Sequence, residues 1–398
     1  MASLLTLEEA QELVLERVRP LDTEPVPIGA ATRRVIAEDV QARVDLPPFA
    51  SSAMDGFAVR SADLPGTLRI VGEAAAGRPY EERLEPGCAV AISTGAVVPA
   101  DADAVVPVER VVQSANTVEI SEATHTGAHV RPRGGDVASG EVVIRAGTML
   151  TPARLAAVAA AGVATVECRR RPRVGILATG SELVAPGEPL RAGQIYETNG
   201  LMLDASLSAA GADTVTEPSA ADDETVLREA LERGLACDVL VTSGGVSVGE
   251  HDLVRAVERE LGVEEVFWRV SIKPGKPVSF GVRGDTLVFG LPGNPVSALV
   301  GCELFVKPAL RALQGVAEPL PRFETGRLTI GLRRNAERDE FVRARVRTDA
   351  DEVVLEPIVG QESHMIVRSS AAGALVHVPR GNGELAAGTT ARWLRLDG

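Results

Sequence analysis

The sequence predicts a multidomain α/β plus β protein, in which a doubly wound α/β domain is combined with smaller β-rich domains. Three apolar runs between residues 172 and 314 each lead into a glycine-rich turn, the pattern of buried parallel strands followed by helices. In open α/β sheets ligands bind beyond the carboxyl ends of the strands, so we expect the three turns to meet at one crevice. The stretches are 174–184 (VGILATGSELV), 238–252 (DVLVTSGGVSVGEHD) and 286–300 (TLVFGLPGNPVSALV).

The length, charge and cysteine pattern of the chain limit the classes of protein to which it can belong. Its 398 residues are 45% hydrophobic, enough for about two to four domains with cores of their own. A formal net charge of −14 argues against a general nucleic-acid or anionic-membrane surface. The four cysteines lie far apart without a CxxC pair, and neither a signal-peptide pattern nor a membrane-spanning apolar run is present. We therefore expect a cytoplasmic protein with buried thiols, no nucleic-acid partner and no membrane partner.

The N-terminal region begins with a helix and then becomes extended. Thr6 and Glu9 fit a capping box, apolar residues follow at helical spacing, and Pro20 ends the helix. Residues 26–40 favour one or two short strands. Short alternating runs separated by turns then predict a β-rich insertion. Its predicted strands are 69–72, 89–93, 104–108, 117–120 and 142–144.

A second helix leads from the insertion to the α/β segment. Thr151 suits its N-cap, Pro152 its first position and Gly162 the residue after its end. The α/β segment predicts helices over 200–210, 223–233, 252–260 and 295–313. Asn294 is expected to cap the last of these, with Pro295 at its first position. A small C-terminal β domain is predicted to contain strands 327–332, 341–347, 353–357, 374–379 and 390–396.

The distribution of lysine singles out one short segment. The chain has only three lysines, and Lys273 and Lys276 both fall in the sequence KPGKP. Lysine is a compact point charge suited to an oxyanion, and the prolines stiffen the backbone that carries it. A solvated turn is the alternative interpretation. The position of the segment between two glycine-rich turns favours an anion site.

A loop of prolines and small residues carries one acid, Asp55. An Asp-Gly pair is typical of a solvated turn, whereas the flanking Phe49 and Phe57 would suit a carboxylate held in a wall. The residues alone leave both interpretations open. Thr94 and Asp136 lie in similar glycine-containing turns of the insertion.

Carboxylates, lysines and glycine-rich turns together predict a site for a phosphorylated ligand and a divalent metal. The turn at 243–245 and the helix after Asn294 offer backbone amides to an anion. Mg²⁺ prefers carboxylate oxygens together with substrate phosphates. A Walker A loop is absent. The residues thus indicate a metal-assisted enzyme acting on a phosphorylated or nucleotide-bearing small molecule, without fixing the reaction. The candidate acids are Asp55, Asp136, Glu182, Asp222 or Asp223, and Asp252.

Seven motifs along the chain carry a family resemblance. In order they are PPFASSAMDGFAVR, STGAVVP, TGSELV, GQIYETNG, SGGVSVGEHD, KPGKP and LPGNPVSA. Together they closely resemble the molybdopterin molybdenumtransferases, the molybdenum insertase family that includes MoeA and the gephyrin E domain. The resemblance implies a homodimeric transferase of molybdenum cofactor biosynthesis that inserts molybdate into adenylated molybdopterin and releases AMP with Mg²⁺ assistance. A molybdopterin adenylyltransferase and molybdoenzymes are the implied protein partners.

The same resemblance implies four domains and an active cleft shared between subunits. Residues 1–42 and 143–171 would form a discontinuous linker domain, and 43–142 the inserted β-rich domain. Residues 172–318 would form the molybdopterin-binding α/β domain, and 319–398 a barrel-like β domain. The cleft would lie between the α/β domain of one subunit and the inserted domain of the other.

Site residues are implied motif by motif. The lysines and the amides of 243–245 would hold phosphate or molybdate, while Asp55, Thr94 and Asp136 would complete the site across the dimer. The implied catalytic residues are Asp55, Thr94, Asp136, Glu182, Asp252, Lys273 and Lys276. The implied substrate-binding residues are Gly180, Ser181, Asp222, Ser243, Gly244, Gly245, Ser247, Pro292, Asn294, Pro295 and Ser363. The implied magnesium ligands are Glu182, Asp222 and Asp252.

The chain departs from the family pattern at one loop, and two other functions are possible interpretations of the same motifs. The C-terminal loop often reads QGS in the family, whereas here it is Gln361-Glu362-Ser363, which places a carboxylate beside the expected anion site. A molybdopterin adenylyltransferase-like enzyme is one alternative, but that class is normally a single small domain. A non-catalytic dimeric scaffold is the other.

Overall fold

The computed structural model describes residues 4–220, 223–245, 253–349 and 351–396. Its first helix begins as predicted. The Thr6 hydroxyl accepts a hydrogen bond from the Glu9 amide at 3.1 Å, and the Glu9 carboxylate accepts one from the Thr6 amide at 2.8 Å. These two bonds satisfy two N-terminal amides, so the predicted capping box is confirmed. The α-helices are Leu7–Glu16, Pro152–Ala160, Asn199–Ala209, Glu224–Gly234, Leu253–Glu260, Pro295–Gly301, Lys307–Leu313 and Ile366–Ser369.

A six-stranded sheet, here called the central sheet, organises the α/β segment. Its first four strands in spatial order run parallel, and its last two are antiparallel additions. Val239 and Val241 join a core on one face, whereas Leu240 between them joins a core on the other face. Helices cover both faces, which confirms the doubly wound prediction. The strands, in spatial order, are Asp213–Ala220, Arg173–Thr179, Val239–Ser243, Thr286–Leu291, Ser279–Arg283 and Glu264–Trp268.

The helix predicted over 295–313 is interrupted by a π-helical turn, Cys302–Val306. Every residue of this turn is buried, and the turn separates Pro295–Gly301 from Lys307–Leu313. The predicted capping is only half right. Thr151 and Asn294 occupy N-cap positions, but neither side chain makes a capping hydrogen bond.

The β-rich insertion contains a second six-stranded sheet, here called the inserted sheet. All the predicted strands of the insertion overlap observed strands, although 142–144 pairs outside this sheet, with Val40–Gln41. A separate ladder joins Thr23–Pro27 to Thr165–Arg169, so the two ends of the region lie together. In spatial order the inserted sheet is Ala104–Pro107, Gly56–Val59, Cys88–Ile92, Gly66–Ala74, Thr117–Ile120 and Val112–Gln113.

The C-terminal strands close into a five-stranded barrel, because the last strand in the order also pairs with the first. The short strand Ile272–Lys273 from the lysine segment adds to its edge. The predicted strand 327–332 is wrong: the strand ends at Leu328, and Leu332–Arg333 forms a separate ladder with Glu384–Leu385. The barrel strands, in order, are Asp339–Asp349, Glu352–Pro357, Phe323–Leu328, Thr390–Arg395 and Ala374–Val378.

The four cysteines are all buried and unpaired, as predicted. Burial raises the pKa of the Cys168 and Cys237 thiols and raises the pKa of Cys302 to about 12. A thiol held in its protonated form is a poor nucleophile and metal ligand, so we assign these side chains to packing. Among the residues that the structure describes, none of the helices combines the length and apolarity needed to cross a membrane.

Candidate functional site at the strand ends

The carboxyl ends of the parallel strands open into a cavity of about 610 Å³, here called the strand-edge cavity. Asn199 fixes its floor. The Asn199 side-chain amide donates to the Ser243 hydroxyl at 2.9 Å and to the Gly293 carbonyl at 2.7 Å, which joins two of the glycine-rich turns. The Asn199 Oδ1 atom is buried and has no hydrogen-bond partner among the described residues. The lining residues include Thr179, Glu182, Tyr196, Glu197, Thr198, Asn199, Ser243, Asn294, Pro295 and His364.

The turn after strand Val239–Ser243 requires glycine for two reasons. Gly244 has a φ of +99°, and a Cβ there would lie 2.5 Å from the Thr179 carbonyl oxygen. The Gly244 amide donates to the Leu291 carbonyl at 3.0 Å. This amide is therefore used to join neighbouring strand ends and is not free to bind an oxyanion in this conformation.

The helix that begins at Pro295 also offers fewer amides than the sequence suggests. Pro295 has no N–H group, and the Val296 amide donates to the Ser363 carbonyl at 3.0 Å. That bond ties the helix to the barrel. Asn294, whose side chain does not cap the helix, lines the strand-edge cavity and also the neighbouring one.

The neighbouring cavity, of about 530 Å³, is here called the lysine-loop cavity. It lies between the KPGKP segment, the start of the helix at Pro295 and the barrel. Asn294 and His364 line both cavities, so the two form one continuous groove. The lining residues are Lys273, Pro274, Gly275, Lys276, Pro277, Pro292, Asn294, Ser297, Arg338, Gln361, Glu362, Ser363 and His364.

The two lysines of the KPGKP segment have different surroundings. The Lys273 ammonium group pairs with the Glu340 carboxylate at 2.9 Å. Lys276 forms no ion pair or side-chain hydrogen bond with any residue in the described ranges, and it is exposed. The Lys276 carbonyl instead accepts the Val270 amide at 3.0 Å, which fixes the backbone. Lys276 is thus the lysine whose charge is available to a ligand.

A buried arginine holds the barrel wall of the lysine-loop cavity. Arg343 is 0% exposed, and its guanidinium donates to the carbonyls of Gly360, Glu362 and Met365 at 2.8 to 3.2 Å. It also donates to the Ser369 hydroxyl at 2.6 Å. Burial lowers the pKa of the Arg343 guanidinium. One side chain therefore shapes the whole of residues 360–369, here called the barrel loop.

Gln361 strengthens the same anchor from inside the loop. Its carbonyl oxygen accepts the Arg343 amide at 3.0 Å, and its amide group donates to the Arg343 and Ile358 carbonyls. Glu362, at the position where the resembled motif often has glycine, contributes its carbonyl to Arg343 and lines the cavity. The loop can therefore keep its shape with a glutamate at this position.

The carboxylates near the strand-edge cavity divide into free and committed groups. Glu182 is exposed and lies against Gly180, where a Cβ would approach its Oε2 atom to 2.5 Å. Glu197 instead accepts the Gly200 amide at 2.7 Å, at the start of helix Asn199–Ala209. Asp223 caps the helix Glu224–Gly234 through the Thr225 and Val226 amides. Only Glu182 of these three faces the cavity without a hydrogen bond to its carboxylate in the described ranges.

Three predicted site residues, Asp222, Ser247 and Asp252, lie outside the described residues. Within the described ranges, His, Cys, Asp and Glu side chains form no group of three or more that could hold a metal ion. Ser181 is exposed in the same turn as Glu182. Of the three predicted magnesium ligands, Glu182 is thus the one that lies within the described residues, and its carboxylate is free there.

The remaining predicted residues, Asp55, Thr94 and Asp136, lie in loops beside the inserted sheet; together they are called the inserted-sheet patch. The Asp55 carboxylate accepts the Thr94 amide at 2.7 Å. The strand Val130–Arg131, which leads to the Asp136 turn, pairs with the Asp55 loop at Ser51–Ser52. Asp55 and Asp136 are both exposed. Asp55 is exposed within one chain, and its carboxylate is held by a specific bond.

The patch and the groove are separate within one chain. Among the described residues, no hydrogen bond or ion pair joins Asp55, Thr94 or Asp136 to the central sheet or to the barrel. Each set is held by bonds within its own part of the fold. Glu182, Ser243, Asn294, Lys276 and Ser363 are brought together, and the patch is not among them.

Sequence reasoning missed several residues of the groove. Tyr196, Glu197, Thr198 and Asn199 lie in the GQIYETNG motif, which the sequence analysis recognised without assigning a role. His364 follows Ser363 in the barrel loop, and the sequence assigned no role to it. Two more such residues, Arg338 and Ser297, line the lysine-loop cavity. The motif itself was a usable signal for Asn199, whereas Arg338 carries none because arginine is common throughout the chain.

Comparison with family models covers nearly the whole chain. Residues 5–162 match the MoeA N-terminal region (domain I and II), and residues 325–396 match the MoeA C-terminal region (domain IV). Residues 175–312 match a probable molybdopterin-binding domain. The three matches follow one another in the order in which the sequence motifs occur.

Full-length relatives agree with these matches. The chain is 36% identical to the Haemophilus influenzae molybdopterin molybdenumtransferase, covering 97% of each chain. It is 37% identical to molybdopterin molybdenumtransferase 2 of Mycobacterium tuberculosis, covering 96% of this chain and 98% of that one. A crystal structure of the molybdopterin biosynthesis moeA protein from Pyrococcus horikoshii OT3 superposes with a TM-score of 0.86 at 29% identity, covering 99% of this chain and 100% of that one.

Proposed function

The chain belongs to the family of molybdopterin molybdenumtransferases, and we propose that it inserts molybdenum from molybdate into adenylated molybdopterin and releases AMP. The observation that carries this proposal is the continuous groove beyond the strand ends, in which an uncommitted lysine lies at one end and a nucleotide-sized cavity at the other. Such a groove can hold an oxyanion and a larger, partly apolar ligand side by side. The proposed substrates are of these two kinds: molybdate is an oxyanion, and adenylated molybdopterin is the larger ligand.

The lysine-loop cavity supplies the oxyanion end. Lys276 offers an ammonium group that pairs with none of the described residues, and Ser297, Ser363 and Arg338 line the same space. A lysine and an arginine together can neutralise the charge of molybdate or of a phosphate, and hydroxyl groups can orient its oxygens. Lys273 contributes to the local positive charge while its ammonium group stays paired with Glu340.

The strand-edge cavity supplies the end for the pterin and nucleotide. Asn199 joins the strand ends beneath it, and its buried Oδ1 atom is an acceptor without a donor. A ligand amino or hydroxyl group that reached this atom would remove the cost of an unsatisfied buried acceptor. Tyr196 and Ile195, both more than 40% exposed, give the cavity an apolar rim.

Magnesium fits this end of the groove through Glu182. Mg²⁺ is commonly held by one or two carboxylates together with substrate phosphates, and Glu182 presents one free carboxylate. Asp222 and Asp252 are proposed as further ligands. When bound, the ion would neutralise charge on the phosphates of the adenylated substrate. The chain itself would orient that substrate through Asn199 and Lys276.

We further propose that the enzyme is a cytoplasmic homodimer whose active cleft is completed by the inserted-sheet patch of the second subunit. The patch is held in shape within its own chain, and among the described residues no hydrogen bond joins its side chains to the central sheet or the barrel of that chain. Exposed apolar side chains border both surfaces: Phe49, Met54 and Val108 near Asp55, and Ile195 and Leu201 near the strand-edge cavity. The four-domain division drawn from the motifs belongs to the same proposal.

The function is tested by measuring AMP release from adenylated molybdopterin, with and without molybdate and Mg²⁺. We expect release that depends on molybdate and increases with Mg²⁺. ATP turnover without molybdate would instead identify an adenylyltransferase. Binding of molybdopterin without any release of AMP would identify a scaffold.

A further inference from the structure

A third cavity, of about 680 Å³, lies away from the groove and is here called the junction cavity. It is bounded by the segment that leads into helix Pro152–Ala160, by the chain after helix Lys307–Leu313, and by one side of the barrel. The lining residues are Gly147, Thr148, Met149, Arg154, Arg311, Val316, Ala317, Glu318, Leu320, Arg322, Glu324, Leu394 and Arg395.

The floor of the junction cavity is a close backbone contact. Gly147 has a φ of +75°, and a Cβ there would lie 2.9 Å from the Gly315 carbonyl oxygen and 3.2 Å from the Ala317 amide nitrogen. Glycine therefore lets two segments that are remote in sequence meet without a side chain between them. A ligand in the cavity would touch both segments and the barrel.

The arginines that line the cavity differ in their pairing. Arg322 pairs with Glu318 at 2.9 Å, and Arg395 pairs with Glu324 through two bonds. Within the described residues, Arg154 donates only to the Met149 carbonyl, at 2.7 Å, and Arg311 only to the Pro319 carbonyl, at 3.4 Å. Two guanidinium groups thus line one cavity without a carboxylate contact, in a chain of net charge −14.

Arg311 is the more costly of the two to leave without an anion. Its side chain is half-buried, and burial lowers the pKa of its guanidinium. The carboxylate that counteracts this lowering of the Arg311 pKa is Glu303, and it already pairs with Lys307. A half-buried cation with one long hydrogen bond has donors to spare, and a planar guanidinium matches the oxygens of a phosphate.

We propose that the junction cavity binds a phosphate-bearing small molecule, with the phosphate held by Arg154 and Arg311. Met149, Val316 and Leu394 provide an apolar surface for an organic group attached to the phosphate. The cavity is large enough for a nucleoside monophosphate. Because it touches three parts of the fold, the ligand would fix the barrel against the helix Pro152–Ala160. This site is separate from the groove and does not depend on the proposed transferase reaction.

The proposal is tested by isothermal titration calorimetry of the full-length protein with inorganic phosphate and with AMP. The Lys276→Ala variant removes the ammonium group of the lysine-loop cavity. AMP binding that persists in it lies either in the strand-edge cavity, where the nucleotide of the substrate is proposed to bind, or in the junction cavity, and only the junction cavity contains Arg154. Arg154→Gln and Arg311→Gln remove the two proposed contacts; Arg154 is exposed, so its variant should fold even if the other does not. Arg327→Gln is the matched control, since Arg327 lies on the barrel outside the cavity and pairs with Glu352.

We expect one AMP site, the junction cavity, to bind AMP more tightly than phosphate, to keep its affinity in Lys276→Ala and Arg327→Gln, and to lose at least about tenfold in Arg154→Gln, while any AMP bound in the strand-edge cavity is unaffected by Arg154→Gln. Hydrogen exchange should slow at residues 147–154 and 316–324 when AMP is added. Loss of all binding in Lys276→Ala, or full affinity in Arg154→Gln, would overturn the proposal. Equal affinities for AMP and phosphate would overturn the apolar part of the site.

Discussion

The lysine-loop cavity and the inserted-sheet patch differ in how much of their surroundings one chain supplies. The cavity is enclosed by three elements, and its barrel wall is fixed by Arg343 from a completely buried position. The patch has internal order, shown by the bond from Thr94 to Asp55, but its acids are exposed. One region is thus a preformed cavity, whereas the other is an exposed surface without an opposing wall in its own chain.

An active site must be held in shape and must also be enclosed on all sides, and the two regions meet these requirements separately. A preorganised cavity needs long-range bonds within the chain. The conformational entropy lost in forming these bonds is lost when the chain folds, before any ligand binds. Completion of a cavity can be left to a second copy, provided that the completing surface is rigid by itself. We expect substitutions in the two regions to behave differently for this reason.

The largest effect is expected from Arg343→Met, which removes the anchor of the barrel loop. The change leaves the carbonyls of Gly360, Glu362 and Met365 without their donor, and we expect a loss of about 3 kcal/mol in the free energy of unfolding. Urea denaturation measures this loss. Arg345→Met, at an exposed position on the same strand, is the control and should change stability by less than about 0.5 kcal/mol.

A second experiment on Arg343→Met links the anchor to the cavity. In the absence of urea, where the variant remains folded, its KM for molybdate should increase. The reason is that Ser363 and His364, which line the cavity, are no longer held in place. An unchanged KM in a folded variant would show that the barrel loop does not contribute to the oxyanion site.

Lys276→Ala should abolish most of the activity without affecting folding. An exposed ammonium group that pairs with none of the described residues adds little to the stability of the fold, whereas a charge-assisted bond to molybdate is worth about 1.5–3 kcal/mol. We expect kcat/KM for AMP release to fall about 10- to 100-fold, and the melting temperature to stay unchanged. A melting temperature that falls along with activity would mean that Lys276 is structural.

Asp55→Asn should have a smaller effect that appears only in catalysis. Asparagine can still accept the Thr94 amide through its carbonyl oxygen, so the patch should keep its shape. Loss of the carboxylate charge should lower kcat about tenfold if the patch faces the substrate. The outcome that contradicts this expectation is full kcat in a dimeric protein.

Lys273→Ala should have the smallest effect of the series. The Lys273 side chain is 52% exposed and already pairs with Glu340, so its charge is partly neutralised before any anion binds. We expect kcat/KM to fall less than about threefold. A loss as large as that of Lys276→Ala would show that the pair with Glu340 opens when the substrate binds.

The contrast between the two lysines shows where sequence reasoning reached its limit. KPGKP presents Lys273 and Lys276 as equivalent, because the partner of Lys273 lies at Glu340, far away in the chain. This pair depends on the addition of strand Ile272–Lys273 to the barrel, and no local sequence pattern predicts that addition. The local chemistry of the segment was predictable, whereas its distribution of charge was not.

In the fold as well, features that depend on neighbouring residues were predictable, and features that depend on distant residues were not. Capping at Thr6 and the apolar runs of the central sheet depend on neighbouring residues, and both were predicted correctly. Capping by Asn294 was predicted from equally good local signals and is absent, since the helix start is instead tied to the barrel through Val296 and Ser363. Arg343 had no signal at all, because in the sequence it is one arginine among alternating residues of a strand.

The central claim, that Asp55 of one subunit acts with Lys276 of the other, is tested most directly by mixed dimers of Lys276→Ala and Asp55→Asn chains. In such a heterodimer one cleft carries both substitutions and the other carries neither. With random assembly half of the dimers are mixed, so AMP release should recover to about one quarter of the wild-type rate. Activity no higher than the mean of the two single-variant homodimers would contradict the claim and place both residues in a cleft formed by one chain.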